Sequence, residues 1–65
     1  MNKWLVWYIS TNHEPVYIEW LELWAAGKLP LPRNTAELGA VYERALYDWV
    51  NEHYPHIIVA WRMSQ

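Results

Sequence analysis

The groups in this 65-residue chain best able to do chemistry are three histidines, seven carboxylates and a few hydroxyls, and their spacing argues against it. Glu52, His53 and His56 lie close together in sequence, with His13 far from them. Zinc needs three or four ligands converging on one point, and Pro55 interrupts the chain between the two neighbouring histidines. Histidines at a helix end, where the dipole favours positive charge, are the simpler reading. Ser10, Thr11, Thr35 and Ser64 offer hydroxyl nucleophiles, yet none falls in a strand–turn–helix setting that would expose one. Ala26-Gly27-Lys28-Leu29-Pro30 lacks both the glycine spacing of a phosphate loop and the Ser or Thr that follows its lysine. Glu19 and Glu22 sit one helical turn apart with no cleft implied around them. No catalytic residue, metal or cofactor is expected, and the chain reads as a binder and not an enzyme.

What it carries instead is aromatic surface: six Trp and five Tyr, with no Phe, in a chain that is 54% hydrophobic. A domain this small buries only about 60% of the surface its unfolded chain exposes. Rings that each bury on the order of 150–250 Å2 are hard to hide completely within it. Trp and Tyr also have a polar handle, which suits positions apolar on one side and wet on the other. Lys3, Lys28, Arg33, Arg44 and Arg62 are scattered, and the net charge is −2. Nucleic-acid binders concentrate their cations on one face, so nucleic acid is not the expected partner. Cysteine is absent, which fits a reducing compartment. The uninterrupted apolar run Trp4–Ile9 is too short for a signal peptide or a membrane span. A single soluble cytoplasmic domain over residues 1–65 is expected.

The elements that must position these residues start with Lys3–Ser10, β-branched and aromatic throughout, which predicts a strand. Thr11 and Glu14 have capping-box spacing, and apolar residues at 16, 17, 20, 21, 23 and 24 form a helical arc. A helix over 14–26 follows, stopped by Gly27 and Lys28, with a hairpin through residue 20 as the alternative. Leu-Pro-Leu-Pro at 29–32 predicts a stiff extended connector, and Asn34 with Glu37 repeats the capping signature. Leu38, Val41, Tyr42, Ala45, Leu46, Trp49 and His53 then mark one face of a second helix that ends at Pro55. The tail His56–Met63 predicts a second strand. The expected fold class is α+β: strand, helix, helix, strand, with a two-stranded antiparallel sheet packed on the helical pair and completed by dimerisation.

In that arrangement Trp4, Val6, Tyr8, Ile58 and Ala60 form an uncovered sheet face, edged by Lys3, His56 and Arg62. Its composition is that of an interface, so a larger protein or a second copy is expected against it. Glu19 and Glu22, with Glu43, Asp48 and Glu52 on the second helix, form either a solvated face or an acidic docking patch. Compact chains of this character often work by steric or mimicry-based inhibition, as phage and mobile-element proteins such as anti-CRISPR proteins do. No motif ties this chain to such a family, and the likeness is one of size and character. The alternative is a small nucleic-acid-binding or antitoxin-like regulatory homodimer, with Trp4, Tyr8 and Trp61 stacking on bases. Against it, Glu37, Glu43, Asp48 and Glu52 outnumber Arg44 on the helix that would meet phosphate. No membrane is expected as a partner.

Overall fold

The structure, a computed structural model, describes residues 4–29 and 38–65. Among the described residues there are four helices and no strand: α1 (Leu5–Asn12), α2 (Glu14–Ala25), α3 (Leu38–His53) and α4 (Pro55–Met63). The fold is therefore all-helical, and the two-stranded sheet expected from residues 3–10 and 56–63 does not form.

Both terminal segments are short, apolar on every side and without polar punctuation, so their periodicity does not separate strand from helix. In α1 the residues that reach the core are Leu5 and Ile9, one helical turn apart. In α4 they are the adjacent Ile57 and Ile58, each 2% exposed. Neighbours on a half-buried strand point to opposite faces, whereas on a helix they can share one arc. Pro55 opens α4 instead of merely closing α3, since a proline in the first helical turn removes an N–H that has no intrahelical partner anyway.

α1 and α2 are separated by one residue, His13, with φ −137° and ψ 52°. α3 and α4 are separated by Tyr54, with φ −140° and ψ 61°. Each break is set by a nearby proline, Pro15 or Pro55, which cannot donate back into the preceding helix and restricts the residue before it. Thr11 does not cap α2: it lies within α1, and the cap position is His13, whose side chain makes no capping bond. α2 ends as the sequence implies, with Gly27 at φ 72°. The Lys28 N–H returns to the Leu23 carbonyl at 2.9 Å and the Gly27 N–H to the Trp24 carbonyl at 3.0 Å. This paired closure needs a left-handed residue, which glycine adopts without strain. The connector at 30–32 and the cap signature of Asn34 and Glu37 lie outside the described residues.

The core is Leu5, Ile9, Trp20, Leu46, Trp49, Val50, Ile57 and Ile58, so every helix contributes to it. Val41 and His53, expected on the inner face of α3, are exposed, while Val50 is buried. The surface area is 4583 Å2, near the roughly 4,400 Å2 typical of a folded monomer of this mass. The eight core side chains are each 9% exposed or less within a single chain.

α1 is only 8 residues long, and Trp4 at its cap position offers no side-chain acceptor. The acceptor comes from α3. The N–H groups of Leu5 and Val6 donate to the two carboxylate oxygens of Glu43, the Val6 bond at 2.9 Å. A carboxylate there satisfies two otherwise orphaned donors and faces the positive end of the helix dipole. Replacing Glu43 with Ala is expected to cost about 1–2 kcal/mol in urea unfolding, and Glu43→Gln less. Hydrogen exchange at the Leu5 and Val6 amides should accelerate before that of α3. An unchanged unfolding midpoint in Glu43→Ala would show that α1 is held by packing alone.

Candidate docking site

The residues expected to form one interaction face are divided by the helical fold. Trp4 is 60% exposed, Val6 and Tyr8 are half-buried, and all three belong to α1 or its cap. Ile58 is a core residue of α4, while Ala60 and Arg62 are exposed on that helix. Arg62 donates to the Tyr47 hydroxyl and lies 5.8 Å over the Tyr47 ring. The acidic residues are likewise not gathered into one patch. Glu43 caps α1, Glu19 accepts a 2.7 Å bond from the Tyr54 hydroxyl, and Asp48 pairs with Arg44 at 3.2 Å. Glu22 and Glu52 are exposed. The three histidines cluster at the two helix breaks, each against a ring: His13 on Tyr8, His53 on Trp49 and His56 on Tyr54. Among the described residues no three His, Asp or Glu side chains are placed to hold a metal ion. No described helix is long and apolar enough to cross a membrane.

One concave surface does gather part of the expected face. Trp4, Val6, Trp7 and Ser10 on the α1 side, with Gly39 and Tyr42 of α3, line a hollow of about 580 Å3. Trp7 is 52% exposed. On a helix it falls one turn from Trp4, so both indoles rise on the same side. Ser10 turns its hydroxyl back onto the Trp7 carbonyl at 3.1 Å, which leaves the hollow largely apolar.

The α3 side of the hollow is Gly39, and a Cβ built there would meet no described atom within 4 Å. Glycine within a helix costs roughly 0.8–1 kcal/mol relative to alanine. Among the described residues nothing requires it here, since its backbone is not left-handed. Its effect is to leave this exposed part of the α3 surface bare of a side chain.

Tyr42 is held rigidly. Its ring stands edge-on to Trp20 at 4.7 Å and to Trp24 at 5.7 Å, and its hydroxyl is 2.9 Å from that of Tyr17. Trp20 is 0% exposed, so the wall of the hollow continues directly into the core. A second hollow, of about 520 Å3, lies across α3 beside Trp20, Leu29, Val41 and Trp49. The Arg44–Asp48 pair stands on its lining, and it shares no exposed indole with the first.

Burial, followed by the hydrogen bond to Tyr17, pushes the Tyr42 hydroxyl well above the ordinary tyrosine range. The Tyr54 hydroxyl is raised in the same direction, chiefly by its bond to the Glu19 carboxylate. Both groups are favoured as neutral phenols in the folded chain. Their stabilisation is complete well below about pH 10, the ordinary tyrosine value, and declines as pH rises through it. The urea midpoint is expected to drop between about pH 9 and 11, and Tyr42→Phe should flatten most of that drop. A wild-type midpoint constant over that range would rule out the coupling.

In comparisons with known proteins, no family model matches the chain, and neither a curated protein nor a solved structure matches it.

Proposed function

We propose that this chain is a protein-interaction module that docks a larger protein through the Trp4–Trp7 hollow and acts by occupying that protein's surface. The observation that carries the reading is the exposure of two indoles, 60% and 52%, on the α1 side of an open hollow whose other side is Gly39 and Tyr42 of α3. Tryptophan dominates interface hot spots because one rigid ring buries a large area while losing little side-chain entropy.

Together the two rings leave roughly 250 Å2 to be covered, worth about 6 kcal/mol when buried. Association itself costs on the order of 4–15 kcal/mol. The pair is therefore the centre of an interface and not the whole of it. A partner must also cover ground around it, which favours a folded protein surface over a small ligand.

The nucleic-acid alternative finds little support among the described residues. Of the three described Lys and Arg side chains, Arg44 is engaged with Asp48 and Arg62 with Tyr47, and Lys28 stands exposed just past the end of α2. Self-association has one feature in its favour, the exposed stripe of Val59, Ala60 and Met63 on α4, with Met63 82% exposed.

With the protein immobilised as bait, wild type and the α4 variant Val59→Ala are expected to retain the same partner. Trp7→Ala and Gly39→Leu should weaken that partner's binding by about tenfold or more. Gly39→Leu fills open space and replaces a poor helix former, so its thermal midpoint should equal or exceed that of wild type. Loss of binding in a fully folded variant then isolates the hollow. A partner that stays bound to both variants overturns the reading. Sedimentation of the bait alone identifies a second copy as the occupant if a dimer forms and Trp7→Ala dissolves it.

A further inference from the structure

We propose that the outer face of α4 is a homodimer seam, on which two copies of this chain pair reversibly with their α4 helices antiparallel. The seam is separate from the hollow at Trp4 and Trp7, since none of its residues lines that hollow.

α4 turns Ile57 and Ile58 into the core. On a helix the opposite side then falls to His56, Val59, Ala60 and Met63, and all four are exposed. Val59 is 57% exposed and Met63 82%. The outward face of a surface helix ordinarily carries its charges. This one carries none. The nearest in sequence are Glu52, exposed before the helix begins, and Arg62 in its last turn, which is engaged with Tyr47.

The spacing points to a second copy as the occupant. Positions 56, 59, 60 and 63 follow the i, i+3, i+4, i+7 order along which one helix packs on another. The set also reads the same from either end. About a dyad between Val59 and Ala60, His56 of each copy meets Met63 of the other, and Val59 meets Ala60. A seam that must match itself cannot hold charge of one sign, and this one is uncharged within a chain of net charge −2. Ala60 lets the two backbones come close. Antiparallel pairing sets the acidic entry to α4, at Glu52, beside the basic end of the other α4, at Arg62, and it opposes the helix dipoles. Parallel pairing would set like beside like. A foreign protein would find none of the usual anchors, since the seam has no Trp, Tyr or Arg.

The area sets the strength. α4 has 9 residues and is about 13 Å long, so the seam covers on the order of 300 Å2 of each copy. The pair then buries roughly half of the 1,200 Å2 at which stable interfaces begin. A weak dimer follows, half-formed at about 0.3 mM.

Sedimentation equilibrium of the full chain between about 10 µM and about 1 mM should show a monomer passing into a dimer. Ala60→Glu and Ala60→Lys each set like charges against one another across the dyad and should weaken association about tenfold or more. Mixed in equal amounts, the two variants should regain wild-type association or exceed it. Both replace an exposed side chain, so thermal midpoints near that of wild type confirm folding. The chain has no cysteine, so a nitroxide can be placed at Gln65→Cys alone. Mixed with 15N-labelled wild type, it should broaden the Tyr54 and His56 amides of the labelled copy. Broadening confined to the last turn of the labelled α4 overturns the antiparallel order. Wild type that stays monomeric throughout overturns the seam itself. So does a dimer that survives both charged variants, and if Trp7→Ala dissolves that dimer, the second copy lies on the hollow instead.

Discussion

The carboxylate of Glu43 is the contact on which the N-terminal half of this molecule depends. An eight-residue helix is too short to persist alone in water, and α1 begins at a tryptophan that cannot cap it. Glu43 supplies both missing acceptors from a point 38 residues away. That clamp joins the start of α1 to the first half of α3 and lets Leu5 and Ile9 enter the same core as Leu46 and Val50. With those two residues inward, the geometry of a helix turns Trp4 and Trp7 outward. The exposed indoles are thus a consequence of how α1 is anchored. A carboxylate that reads as surface charge in the sequence is one of the fold's principal tertiary bonds.

The absence of phenylalanine has different consequences in different parts of the molecule. Several tyrosines use their hydroxyls to tie elements together: Tyr17 to Tyr42 between α2 and α3, Tyr54 to Glu19 between the second break and α2, and Tyr47 to Arg62 between α3 and α4. The tryptophans nearest the core behave otherwise. The indole N–H groups of Trp20 and Trp24 are buried without an acceptor, at a cost of about 1–3 kcal/mol for each such donor. At position 20 the size of the ring is what the core uses, since it fills the space against Tyr17, Trp24 and Tyr42. Large rings in a small domain let few residues close a core, and they leave little room to satisfy every donor.

The hollow joins these two features. One side is α1, placed by the Glu43 clamp, and the other is Tyr42, held by the aromatic cluster. A surface built on such rigid supports has little conformational entropy to lose in any contact it makes. Gly39 departs from helix preference, and a Cβ there would meet no described atom within 4 Å.

The sequence by itself determined the middle of the chain. The apolar arc of α2, its glycine stop and the helix of α3 are local patterns present where the residues place them, although on α3 Val50 and not Val41 or His53 is buried. The excess of indole over what one small core can cover was also legible, and Trp4 and Trp7 do remain exposed. Tertiary structure alone decided the two ends. Trp4–Ile9 and His56–Met63 carry apolar residues in nearly every direction, so neither a two-residue nor a 3.6-residue period stands out. The choice there was made by partners distant in sequence: Glu43 for α1, and for α4 a core able to take Ile57 and Ile58 side by side. No local signal marks Glu43 as a cap for residues so far away, because capping patterns are recognised only within a turn of the helix they serve. For the same reason the predicted face of Trp4, Val6, Tyr8, Ile58, Ala60 and Arg62 was split: its membership followed from strand alternation, and a helix rotates each successive side chain by about 100° instead.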